Sequence, residues 1–107
     1  MAGAWKSSDG GTITPLGASS VHVEATATQV IVAAALNVRG ITIRTSAFMY
    51  VGASAWGFLT VDGIRVASIY TGANLSLGRE LFVPAGKAIG VERQAGTIHV
   101  DLTYDIH

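Results

Sequence analysis

The chain contains no cysteine in its 107 residues. Disulfides and thiolate metal centres are therefore excluded. Charge is scarce: 13% of residues are charged, against about 25% in an ordinary domain. Seven basic residues balance seven acidic ones, so the formal net charge is zero. A nucleic-acid-binding domain carries a basic excess; none is present, and no nucleic-acid partner is expected. Long apolar runs are also missing. The longest, Val30 to Leu36, is far short of the ~20 residues that cross a bilayer as a helix. MAGAWKSSDGG lacks the apolar stretch of a secretory signal peptide. These absences predict a chain made in a cytoplasm, with no membrane partner. Low charge with zero balance also offers little repulsion against association. Half of the residues are hydrophobic, so the surface is expected to be covered in part by neighbouring chains.

What is present is a run of short alternating segments. Residues 1–20 are mostly Gly, Ser, Ala and Thr and read as a flexible N-terminal arm, with Trp5 and Leu16 as its large apolar side chains. Residues 21–107 read as one domain. Val21, Val23 and Ala25 alternate with His22, Glu24 and Thr26, a half-buried strand. Val30 to Leu36 is apolar on both faces, which predicts a covered strand. Ile41 and Ile43 alternate with Thr42 and Arg44, and the run extends through Phe48 and Tyr50. Leu81 and Val83 share a face after a kink at Gly78-Arg79-Glu80. Val83-Pro84-Ala85-Gly86 is a turn. Ile98, Val100, Leu102, Tyr104 and Ile106 face inward, opposite Thr97, His99, Asp101, Thr103 and Asp105. About eight short strands with regular turn signals and no convincing 3.6 period predict an all-β, single-domain β-sandwich or small barrel, with a jelly roll favoured.

The hairpin LTVDGIRV raises a question of cover. Asp62-Gly63 suits a type I′ turn, and Leu59, Val61, Ile64 and Val66 then fill the interior. Trp56, Phe58, Ala67 and Ile69 fall on the other face, with Trp56 opposite Ile69 and Phe58 opposite Ala67. Trp56, Phe58, Ile69, Arg65 and the arm's Trp5 are accordingly the candidate interface residues.

Catalytic patterns are weak. Gly52-Ala53-Ser54-Ala55-Trp56 lacks the last glycine and the following helix of a nucleophile elbow. No phosphate-binding glycine motif occurs, and no cofactor is expected. His99 and Asp101 lie two apart on one strand face and are weak metal-ligand candidates that need help from elsewhere; His107 is too far along the strand to join them. A cupin-like metalloenzyme is the remote alternative that this pair suggests. Arg39, Arg44 and Arg65 would form a basic stripe if their strands were adjacent. Trp56 and Tyr70 would suit a sugar platform, although aromatics flanked by aliphatics fit a packed contact better.

Asn37, Gly40, Ile41, Ile43 and Arg44, then Pro84-Ala85-Gly86, then Tyr104-Asp105, resemble the pattern of small jelly-roll virion proteins of tailed bacteriophages. The resemblance spans residues 28–106. It implies a jelly roll without catalytic residues, serving as a capsid decoration (cement) protein or a tail-associated module. The expected protein is a homotrimer in the virion that binds the major capsid protein or another virion protein. The alternative is a module that binds a host receptor or glycan.

Overall fold

The structure, a computed structural model, describes residues 5–6, 12–13, 15–52, 56–70, 74–75 and 80–107. Side chains of residues 5, 6, 12, 13, 70, 74 and 75 lie outside that description, as do Ser54, the turn at 72–73 and the kink at Gly78-Arg79.

Among the described residues, eleven strands run in chain order: β1 Trp5–Lys6, β2 Thr12–Ile13, β3 Ser19–Ala25, β4 Gln29–Val32, β5 Ile41–Val51, β6 Trp56–Val61, β7 Ile64–Tyr70, β8 Asn74–Leu75, β9 Leu81–Val83, β10 Ile89–Arg93 and β11 Thr97–Ile106. β1 and β2 pair with each other. The rest form two antiparallel sheets. One has the order β3-β11-β5, with β8 and β9 both on the free edge of β5. The other has the order β4-β10-β6-β7. The pairings are nested: β6 with β7, β5 with β8 and β9, β4 with β10, β3 with β11. A long hairpin wound over itself gives this order, so the sandwich is a jelly roll. The core lies between the sheets. Ile41, Ile43, Phe48, Tyr50, Ile98, Val100 and Leu102 come from one, and Val32, Leu59, Ile69, Ile89 and Val91 from the other.

Local chemistry explains the elements. β3 and β11 keep the alternation read from their sequences. Val21, Val23 and Ala25 turn inward opposite Leu102, Val100 and Ile98, and His22 and Glu24 turn out. Ile106, expected inside, is exposed at the end of its strand. β3 begins at Ser19, inside the span assigned to the arm. The chain just before it is also docked, with Gly17 N–H donating to Thr103 Oγ1 at 3.0 Å and Ala18 N–H to Asp105 Oδ1 at 2.7 Å. The 62–63 turn has φ of 54° and 81°, the positive pair that a type I′ hairpin requires.

Three expectations are corrected. Val30–Leu36 is not a covered strand. β4 stops at Val32 and is the edge of its sheet, a single 3-10 turn follows at Ala34–Leu36, and Val30 and Leu36 are exposed. An edge strand has one neighbour, so its free edge stays wet, and in a two-sheet sandwich its outer face has no layer over it. Ile69 is not on the outer face: it is 1% exposed, in the core. A bulge leaves Val66 unpaired between Thr60↔Arg65 and Leu59↔Ala67, so Trp56 meets Tyr70 and Phe58 meets Ser68. One extra residue moves every later side chain to the opposite face. Ile64, expected inside, is 67% exposed at the hairpin tip. The third correction is the basic stripe. Arg44 is itself the extra residue of a bulge in β5, skipped between Thr103↔Thr45 and Tyr104↔Ile43. Arg65 lies on the other sheet, and Arg39 is exposed in the loop before β5.

The bulge at Arg44 gives that side chain an unusual place. It is 5% exposed, with Nε donating to Asp105 Oδ2 at 2.7 Å and Nη1 to Glu80 Oε2 at 2.6 Å. Two carboxylates at hydrogen-bond distance are what a nearly buried guanidinium requires. Asp105 is held below the ordinary carboxylate range, first by the Ala18 N–H and then by Arg44. A depressed carboxyl contributes stability that is present above its unfolded value of 3.8 and is lost as pH falls through the lower folded value. Asp105→Asn is therefore expected to lower the urea midpoint at neutral pH. The gap from the unaltered chain should shrink as acid protonates Asp105; a pH-independent gap would contradict this.

Candidate functional site

Among the described residues, three surface features stand out once the core is assigned. The first is the outer face of the β4-β10-β6-β7 sheet, where the sequence puts Trp56 and Phe58 in need of a second cover, from a loop, the arm or, in preference, another chain. Phe58 is covered by its own fold. The Arg65 guanidinium carbon stands 4.0 Å from the Phe58 ring centroid, a cation–π arrangement. Glu92 fixes that guanidinium through two bonds, Nε to Oε1 at 3.0 Å and Nη2 to Oε2 at 2.5 Å. The Arg65 pairing depresses the Glu92 carboxyl. Phe58↔Glu92 and Thr60↔Arg65 are cross-strand neighbours, so the ladder sets this stack. Trp56 is 47% exposed, and its backbone N–H donates to Gln94 Oε1 at 2.9 Å. Of the five interface candidates, the structure brings Phe58 and Arg65 into contact, leaves Trp56 half-exposed on the same face and sends Ile69 to the core. The side chain of Trp5 is outside the described residues.

The second feature is the loop end of the sandwich. Asn37 is 1% exposed and joins two loops. Its Nδ2 donates to Pro84 O at 2.7 Å and Lys87 O at 3.0 Å. Its Oδ1 accepts from Gly40 N–H at 2.8 Å, and its backbone carbonyl accepts from Gly86 N–H at 2.7 Å. An amide has two donors and an acceptor, the set this corner uses. Gly40, at φ 106°, lies under the tip of the Phe82 ring, and that φ strains any residue with a Cβ. His107 N–H donates to Gly40 O at 3.0 Å, and its ring stands 6.0 Å from that of Phe82. Around this rigid corner lie apolar side chains in water: Leu36 and Val38 flanking Asn37, Phe82 over Gly40, and Ile106 next to His107. Val38 is 72% exposed and Phe82 57%. None of these four was singled out as an interface residue from sequence. The usable signal was Leu-Asn-Val-Arg-Gly, apolar residues flanking turn residues, followed far along the chain by Phe82 beside Pro84.

The third feature is a polar patch on the outer face of β3 and β11. Glu24 stands opposite His99, and His22 opposite Asp101. His22 Nδ1 is 2.6 Å from Asp101 Oδ1, and its Nε2 is 3.2 Å from Glu24 Oε2. The His22 pKa is raised, first by the bond to Asp101 and then by that to Glu24. The His22 and His99 ring centroids are 6.3 Å apart. Among the described residues, one ligand atom from each of His22, Glu24 and His99 lies within 4.8 Å of the others. The weak pair His99 and Asp101 thus gains neighbours that sequence alone did not supply. Asp101 bonds to a ring nitrogen of His22 and lies outside that ligand group. A hollow of about 300 Å³, lined in part by Ser20, His22, Thr45 and Asp101, opens beside the patch.

No helix among the described residues is long and apolar enough to cross a membrane. Comparison with protein-family models, curated proteins and solved structures finds no match for this chain.

Proposed function

We propose that the protein is a non-enzymatic virion structural protein, a capsid decoration module that sits on the head of a tailed phage as a homotrimer and stabilises it. The observation that carries this reading is the apolar loop end. Leu36, Val38, Phe82 and Ile106 are presented around a corner that Asn37 makes rigid. Exposed apolar area on a fixed scaffold is the makeup of a contact core. A fixed scaffold also lowers the ordering cost of association. Thin charge and zero net charge oppose contact weakly. The residues of the virion-protein resemblance support the same reading, since Asn37, Gly40, Pro84 and Gly86 are the residues that build this corner. Each copy makes a modest contact with its neighbours and with the major capsid protein, and repetition over the shell multiplies it.

The experiment adds purified protein to empty heads of the tailed phage that encodes it. Saturable binding is expected, and Val38→Glu/Phe82→Glu, still folded by circular dichroism, should fail to bind. A second reading rests on Trp56, half-exposed beside the Phe58–Arg65 stack: a tail-associated module that binds host glycan. Saturable glycan binding lost in a folded Trp56→Ala variant, with no binding to heads, would replace the first reading by the second.

A further inference from the structure

The polar patch on β3 and β11 is independent of the apolar loop end. It sits on a different face, and its residues are polar and titratable. We propose that His22, Glu24 and His99 bind a divalent late transition-metal ion of the zinc(II) class, with Asp101 orienting His22.

Four observations carry this. The chemistry of the donor set is the first. Two imidazoles and one carboxylate match zinc and its neighbours, whereas magnesium and calcium prefer oxygen alone. The second is spacing. Bonds of about 2.0–2.2 Å in a tetrahedral site place ligand atoms about 3.4 Å apart. His22 Nε2 and Glu24 Oε2 already stand 3.2 Å apart, and a ring nitrogen of His99 lies within 4.8 Å of one ligand atom of each of the two residues. The side chains of His22 and Glu24 are more than half exposed, so small rotations about their torsions close the set.

The third is the partner on the far side of the ring. A ligating histidine usually donates its other N–H to a carboxylate, which sets the tautomer and aims the lone pair. Asp101 Oδ1 is 2.6 Å from His22 Nδ1, leaving Nε2 toward Glu24. The fourth is the scaffold. Glu24↔His99 and His22↔Asp101 are successive cross-strand pairs on one face of a regular antiparallel ladder, so backbone pairing holds all four side chains before any ion arrives. The facing positions of β5, Ala47 opposite Asp101 and Met49 opposite His99, bring no charge to compete.

A solvated ion-pair network would also place His22 between two carboxylates, but it has no use for His99. The site as drawn has three protein ligands and an open position. That position takes water or a donor from another molecule.

The test is a calorimetric titration of zinc chloride into the full, untagged chain after chelator treatment and buffer exchange. One ion per chain with a micromolar dissociation constant is expected. His99→Ala, which leaves the His22 ion pairs in place, should weaken binding more than about tenfold, as loss of a ligand must cost at least what loss of a supporting residue does. Asp101→Asn should weaken it about ten- to a hundredfold. In carbon–proton spectra the ring signals of His22 and His99 should move on zinc addition while those of His107 stay. Three results would overturn the proposal: no saturable binding at micromolar zinc, affinity unchanged in a folded His22→Ala/His99→Ala double variant, or binding that is lost on His107→Ala instead.

Discussion

Asn37→Asp is expected to cost the fold about 3–5 kcal/mol, the range seen when a buried charge is left uncompensated. The substitution changes one NH₂ group to an oxygen. That group now donates to Pro84 O and Lys87 O. In the variant a carboxylate would point at two carbonyl oxygens at a position 1% exposed. Two hydrogen bonds become two repulsions, and the charge has no water to turn to. Of the three side-chain bonds, that from the Gly40 N–H alone keeps its acceptor. Domains of this size are stable by about 5–15 kcal/mol, so the variant should lie near the threshold of folding. Urea denaturation at neutral pH measures it. A loss below about 1 kcal/mol, the level of an ordinary substitution, would mean that Asn37 does not hold this corner together.

The second large effect concerns the bulge at Val66. Ile69→Lys should lower stability by about 4 kcal/mol or more, summing lost apolar burial and a buried ammonium. Val66→Lys should stay within about 1 kcal/mol of the unaltered chain, as exposed substitutions do. Ile69 is 1% exposed and Val66 45%. A regular two-residue hairpin with no bulge assigns these side chains to the opposite faces. The ranking of the two variants, read from urea midpoints, decides between the registers. A more harmful Val66→Lys would remove the bulge from the account and return Ile69 to the surface.

These two positions also mark how far the sequence could be read. β11 was legible because its apolar residues keep one parity from Ile98 to Tyr104, and the pattern leaves one choice of face. The 62–63 turn was legible because two positive φ angles restrict the residues that fit. β7 carries apolar residues on both parities, Ile64 and Val66 and then Ala67 and Ile69. Where the phase changes depends on the partner strand, which the local pattern does not contain. β5 changes phase in the same way, from Ile41 and Ile43 to Phe48 and Tyr50, with Arg44 as the extra residue. There the parity change was visible and pointed to a bulge that the strand assignment did not use. Val30–Leu36 misled because apolar composition does not distinguish a central strand from an exposed edge. The nested strand order, and with it the jelly-roll topology, came from the structure.

Of the candidate sites, the sequence offered Trp56 and Phe58 as a face in need of cover. Phe58 finds it in Arg65, a contact that depends on which strands are neighbours. The loop end and the β3–β11 patch were harder to see. Asn37 meets Pro84 across 47 positions, and His22 meets Asp101 across 79. Only the fold makes such pairs adjacent.

The proposed function has Leu36, Val38, Phe82 and Ile106 covered by neighbouring copies of this chain as well as by the head. The solution mass at micromolar concentration, measured by sedimentation or light scattering, tests it most directly. The account predicts a trimer of about 33 kDa, three times the 11.0 kDa chain, which falls to the single-chain mass in Val38→Glu/Phe82→Glu. A stable 11.0 kDa species for the unaltered chain, unchanged as concentration rises, would contradict it.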